Sequence, residues 1–292
     1  MRLPGFILFS ALLLLLTTQQ LAAQDGYSTR LALGDVREIV VDIDAGFGTF
    51  YLKRSEKPAL FTLREKDHED REEYSQPETE YYIEDGIGYL TVDLTNGDDG
   101  DMNALACLIQ GKQSRIWYAT ISDGIPVRLD ITLGAGTAAL NLTGIHIRAF
   151  SLDAGAGTVR INVDKANREE IEDVAISAGV GSVTTKRLGN LRFQTLDFEG
   201  GMGTYRLDCS GALPRKSRIH TDVGVGSLTL VLPKGVGAKA LTNDHFLSST
   251  KMYRFIQHSD DVYITPDYKK SKRRVLLDLQ SGVGSVSVRW AK

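Results

Sequence analysis

The chain has 292 residues, with 34 Lys plus Arg, 37 Asp plus Glu and a formal net charge of −3. Hydrophobic residues make up 42% and charged residues 24%, which excludes a disordered or collagen-like chain, and the balance leaves no basic footprint for nucleic acid. Two cysteines are too few for a disulfide-dense mini-scaffold or a structural zinc site, so glycine is the one outlier, 29 residues against a usual share of about 7%.

Residues 1–23 have the layout of a secretory signal peptide. Arg2 supplies a positive start, Phe6 to Leu16 is an apolar run, and Leu21-Ala22-Ala23 ends the segment. The run is short for a transmembrane span, although a retained N-terminal anchor is the alternative. No cysteine lies near the cut, so a lipoprotein anchor is not supported, and no later stretch is apolar enough to span a bilayer. The mature chain is expected to be soluble and exported, to the periplasm or cell surface of a bacterium.

Beyond residue 23 a Gly-apolar-Gly triplet recurs eight times, starting at Gly46, Gly86, Gly134, Gly155, Gly179, Gly201, Gly224 and Gly282. From Gly134 to Gly224 the spacings are 21, 24, 22 and 23 residues, the even period of a solenoid. Upstream of each triplet, apolar side chains fall at minus five, minus three and minus one, as in Leu129, Ile131 and Leu133. Downstream they fall at plus four, six and eight, as in Val159, Ile161 and Val163. Period two on both sides means strand, and the change of parity requires a corner at the second glycine: Gly48, Gly88, Gly136, Gly157, Gly181, Gly203, Gly226 and Gly284. The middle residue of the triplet, always apolar, continues the inward series on this reading.

Stacked turns of this kind bury one continuous face and pair their strands in parallel. The expected fold is all-β: a parallel β-solenoid, a single-stranded β-helix, right-handed by the usual chirality of parallel connections, with irregular insertions. An antiparallel sandwich is the alternative. Residues 24–125 read as an N-terminal β region with a charged insertion (Arg64 to Glu80) and a capping segment. Residues 126–292 read as the glycine-corner solenoid with a closing C-terminal strand, broken at 242–273 by a segment that ends in a basic run, Lys269 to Arg274. Lys165 to Val174 and Ala104 to Gln110 are the two candidate short helices.

The segments Leu232-Pro233-Lys234-Gly235-Val236-Gly237, Phe246-Leu247-Ser248-Ser249, Tyr263-Ile264-Thr265-Pro266-Asp267-Tyr268 and Leu277 to Val286 carry a resemblance. Their order resembles the C-terminal β-domain of LiaF-type cell-wall-active antibiotic response proteins. Gly134 to Val163 is similar to toast-rack and adhesin-like envelope domains. The resemblance implies a bacterial envelope protein with a β-solenoid and, in LiaF-type members, a role in envelope-stress signalling. The membrane helices that precede the β-domain in those proteins are replaced here by the signal peptide. The resemblance brings no catalytic residues.

The glycine triplets do not make a dinucleotide site, since Ala139 after Gly134-Ala135-Gly136 is followed by the strand Leu140-Asn141-Leu142 where a helix is needed. Calcium-binding solenoid repeats need Asp at plus four, where this chain has Phe50, Val159, Val183, Tyr205 and Leu228. Asn96 to Asn103 is rich in oxygen ligands but lacks the order of an EF-hand. His68, His146, His220, His245 and His258 share no metal-ligand spacing. No catalytic residue, metal or cofactor is assigned. The candidate binding face is a stripe of outward acids at minus two and minus four: Asp42, Asp44, Asp130, Asp153, Asp197, Glu199, Asp222 and Asp278, with Glu84 at the same offset. The plain reading of that stripe is a solvated surface. Cys107 and Cys209 can pair in an exported chain, although Cys209 falls at an inward position where a buried thiol is equally natural.

The functional expectation is an exported, non-enzymatic envelope protein, a scaffold for binding a protein or surface polymer. The alternative is a β-helix carbohydrate-active enzyme that uses outward carboxylates.

Overall fold

The computed structural model describes residues 28–32, 36–57, 59–66, 77–95, 115–244 and 248–292. They form a single 17-stranded sheet, mostly parallel. Its strands are β1 (Ser28–Leu31), β2 (Glu38–Asp44), β3 (Phe47–Arg54), β4 (Phe61–Glu65), β5 (Glu78–Glu84), β6 (Ile87–Asp93) and β7 (Ile116–Ile121). Then come β8 (Val127–Asn141), β9 (Ile147–Asn162), β10 (Ile171–Lys186), β11 (Phe193–Asp208), β12 (Lys216–Leu232), β13 (Gly237–Asp244), β14 (Ser248–Met252), β15 (Ile256–Ser259), β16 (Val262–Ile264) and β17 (Arg274–Trp290). The parallel β-solenoid expected from the repeat is the observed architecture, and the antiparallel sandwich is not.

The strands stack in the register that the glycine numbering implies. Val41, Leu129, Phe150, Val174, Leu196, Ile219 and Leu277 share one inward row across β2, β8, β9, β10, β11, β12 and β17. All are 2% exposed or less. Burying one such side chain stabilises by about 1.5–3 kcal/mol, so rows of this kind supply the core. Within the core, size is exchanged along a single rung: on β11, Gly200 leaves the space that the buried ring of Tyr205 occupies.

At the corners of β8, β9, β10, β11, β12 and β17 the strand continues without ending, whereas the corner at Gly46 separates β2 from β3. Buried side chains stop at minus one and resume at plus four, with none inward between them at the rungs of Gly179, Gly201, Gly224 and Gly282. This corrects one expectation: the middle residue of the triplet does not continue the inward series. Four successive positions, from zero to plus three, carry no inward side chain, and that odd-numbered step from minus one to plus four is the change of parity.

Short returns connect the rungs. Buried Asn167 donates through Nδ2 to the Ile147 carbonyl at 2.7 Å, and Asn190 donates to the Val163 carbonyl at 2.8 Å. Lys165 to Val174 is not a helix; it holds a return and the start of β10, and the one helical turn among the described residues is 3-10, Leu188–Leu191. Residues Ala104 to Gln110 lie outside the described residues.

Both ends are built by excursions that leave the array and come back. The β2–β3 rung pairs with β8 on one side and with β6 and β7 on the other. Antiparallel β5 and β4 then follow outside β6 and β7. At the other end, β17 is flanked by β12 and by β13 with β14, and β16 pairs antiparallel with β13. The C-terminal strand is therefore not the last rung. It lies inside a rung made by the segment before it, and antiparallel strands blunt the open edge beyond.

Candidate functional site

Each rung presents two outward faces, one before the corner and one after it. Before the corner, the minus-two row runs Asp93, Asp44, Thr132, Asp153, Ser177, Glu199, Asp222, Gln280. The minus-four row runs Asp42, Asp130, Ser151, Ala175, Asp197, His220, Asp278. Stacking brings Asp42 beside Asp130 and Glu199 beside Asp222, whereas Ser177 separates Asp153 from Glu199. Asp197 and Asp278 flank His220, whose Nδ1 is 3.4 Å from an Asp278 carboxylate oxygen. Burial, and then the like charges of Asp130 and Asp44, push the Asp42 carboxyl above its ordinary range. The acids occupy neighbouring strands of one sheet surface, about 4.8 Å apart along the backbone. Asp93 belongs to this row although the sequence pattern did not place it there. Glu84 does not, because it sits in β5, paired with Ile87.

Seven of the eight expected corner glycines form one ladder: Gly48, Gly136, Gly157, Gly181, Gly203, Gly226 and Gly284. A Cβ on Gly157, Gly181 or Gly226 would lie 1.9 Å from the preceding glycine's carbonyl oxygen. Gly88 is the exception. Asp85 and Gly86, with φ of 50° and 74°, form the two-residue turn of the β5–β6 hairpin, so this triplet is a hairpin turn and Gly88 lies within β6. A hairpin turn and a solenoid corner both need glycine, which is why the triplet alone did not separate them.

Between the two glycine columns runs a ridge of outward apolar side chains. Ala156, Val180, Met202, Val225 and Val283 are in register, and the last four are 41–56% exposed.

The face after the corner has different chemistry. Its first outward row is hydroxylic: Thr49, Thr137, Thr158, Ser182, Thr204, Ser227 and Ser285. Its second row runs Tyr118, Tyr51, Ala139, Arg160, Thr184, Arg206, Thr229, Ser287. Tyr51 and Tyr118 stack with centroids 5.0 Å apart and planes at 10°, and the Arg64 guanidinium lies 5.3 Å from the Tyr118 centroid. A depression of about 620 Å³ opens around Tyr51, Ala139 and Arg160. The corner thus divides an acidic face from one that is basic, hydroxylic and aromatic. Sequence reasoning missed this second face because Tyr118 lies outside the repeat, on a strand whose pairing with β3 no period announces.

Cys209 is a fully buried free thiol whose pKa is pushed up by burial. Cys107, the Asn96 to Asn103 segment, residues 1–23, His68 and His245 lie outside the described residues. No helix among the described residues is long and apolar enough to cross a membrane.

No curated protein matches the chain. Two solved structures are similar: a candidate cell adhesion protein from Clostridium sporogenes at 17% identity and a TM-score of 0.47, over 90% of this chain and 98% of that one, and a candidate adhesin from Bacteroides fragilis at 11% identity and a TM-score of 0.36, over 91% of this chain and 98% of that one. The model of the family described as the N-terminal domain of toast_rack, DUF2154, matches residues 19–186, more than half of the chain, and the protein belongs to that family.

Proposed function

We propose that this protein is an exported, non-enzymatic component of the bacterial cell envelope, a β-solenoid scaffold that binds a protein or a surface polymer, with a part in the envelope-stress response. The observation that carries the reading is the ridge of Val180, Met202, Val225 and Val283, exposed in register beside a row of carboxylates. Exposed apolar patches with a polar rim mark contact surfaces. Here the exposed apolar column runs from Val180 to Val283 beside the acids Glu199 and Asp222, which suits an extended partner that is itself apolar and basic.

Fractionation of cells followed by co-sedimentation of the full chain with isolated envelopes tests this. The expected result is a cleaved N-terminus and retention by envelopes that Met202→Glu or Val225→Glu weakens without lowering the melting temperature. An uncleaved chain in the cytosol would overturn the export. Hydrolysis of an envelope polysaccharide that Asp197→Ala abolishes would replace the scaffold with a carbohydrate-active enzyme.

A further inference from the structure

The face after the corner carries a stacked ladder with one low rung. Arg64 lies over Tyr118, Tyr118 over Tyr51, and the next two positions in register are Ala139 and Arg160. Because the two tyrosine rings are within 10° of parallel, Tyr51 has one face against Tyr118 and turns the other toward β8. There the side chain of Ala139 is a single methyl. The strands carrying Tyr51 and Arg160 are separated by two strand spacings, about 9.6 Å. A ring set midway would stand about 4.8 Å from each wall, close to the 5.0 Å at which Tyr51 and Tyr118 already stack. The depression of about 620 Å³ spans this slot, and its lining is mostly apolar.

We propose that the slot over Ala139 holds one pyranose ring of a linear anionic glycan, with Tyr51 against the ring's C–H face and Arg160 on its carboxylate. Two further observations favour a polymer of this charge. Arg160 and Lys53 border the slot without an ion-pair partner among the described residues, so both cations can take an anion. Along the same row, Arg160 and Arg206 stand two rungs apart, about 9.6 Å, with Thr184 between them. A chain with several carboxylates, lying along the solenoid axis, meets both guanidiniums as well as the hydroxyl row beside them. The inference rests on the polymer arm of the scaffold reading but uses a row after the corner instead of the apolar ridge, so the two can fail separately.

Calorimetric titration of the purified full chain with oligogalacturonate tests the slot, with neutral dextran, polyphosphate and adenosine monophosphate as controls. Wild type is expected to bind oligogalacturonate and to bind dextran at least tenfold more weakly. Ala139→Leu, which fills the slot, is expected to lower that affinity at least tenfold, and Arg160→Gln is expected to lower it several-fold. Glu172→Gln, at an exposed position of β10 before the corner, leaves it unchanged. Undiminished binding in both Ala139→Leu and Arg160→Gln would overturn the slot while leaving the polymer reading intact. No binding of oligogalacturonate by wild type, or tighter binding of adenosine monophosphate or polyphosphate, would overturn the glycan assignment; envelope retention sensitive to Met202→Glu would still stand on its own.

Discussion

A side chain on Gly157 would place its Cβ 1.9 Å from the carbonyl oxygen of Gly136, and Gly157 itself has φ of +144°. Both facts bar any L residue with a side chain, and the obstacle is backbone, which cannot swing aside. Gly157→Ala is therefore expected to cost more than about 4 kcal/mol and to show as loss of cooperative unfolding in urea. Gly235→Ala is the contrast, since it has positive φ but nothing within 4 Å. Its cost should stay near 1–2 kcal/mol, roughly the penalty for a left-handed residue. Equal melting of Gly157→Ala and the parent would mean that the close approach does not govern the ladder.

Asp42 should set a pH dependence. Its folded-state carboxyl lies above the ordinary range, so folding favours the protonated form. That contribution is present below the unfolded-state pKa and is lost as pH rises through the folded-state value. Asp42→Asn is expected to raise the melting temperature at neutral pH and to leave it unchanged well below the carboxylate range. A shift of equal size at both pH values would point to packing instead of charge.

The capping excursion of β4 and β7 holds an ion pair. Arg115 donates from Nε to a Glu65 carboxylate oxygen at 2.7 Å and from Nη2 to the other at 3.2 Å, with side chains 11% and 15% exposed. The same guanidinium lies 4.5 Å from the centroid of buried Trp117. Glu65→Gln removes one charge from a bidentate pair and is expected to cost about 3 kcal/mol. Chemical denaturation followed by tryptophan fluorescence checks it; a loss below about 0.5 kcal/mol would class the pair with surface ion pairs.

Thr221 is 0% exposed and its hydroxyl has no hydrogen-bond partner among the described residues. Thr221→Val keeps the shape and removes the stranded group, so stability should rise by about 1 kcal/mol. Calorimetric melting gives the sign directly, and a fall of that size would show that the hydroxyl is satisfied in solution.

Cys209 should behave as packing rather than chemistry. In a Cys107→Ser background, its buried thiol is expected to resist a disulfide reagent in the folded protein and to react in full in denaturant. Fast labelling of the folded protein would contradict the burial.

The repeat of Gly-apolar-Gly with period-two flanks was enough to place the rungs, their register and most of the core, because each rung is a local pattern and stacking equal patterns forces equal rows. The same locality explains the misplaced corner at Gly88: a hairpin and a corner make the same demand on two glycines, and only their partners distinguish them. The outward direction of Met202 was equally hidden, since an apolar residue between glycines fits an inward or an outward position until the bend is known. Three features were decided by the tertiary structure alone: the insertion of β17 beneath β13 and β14, the capping of both ends, and the stacking of Tyr118 on Tyr51. Each joins residues far apart in the chain through strands that carry no repeat, and loop lengths constrain such pairings too weakly to be read in advance. The outward acids were legible as a stripe, but which of them are neighbours depends on the rungs where Thr132, Ser151, Ala175 and Ser177 intervene, and that is set by which strand lies next to which.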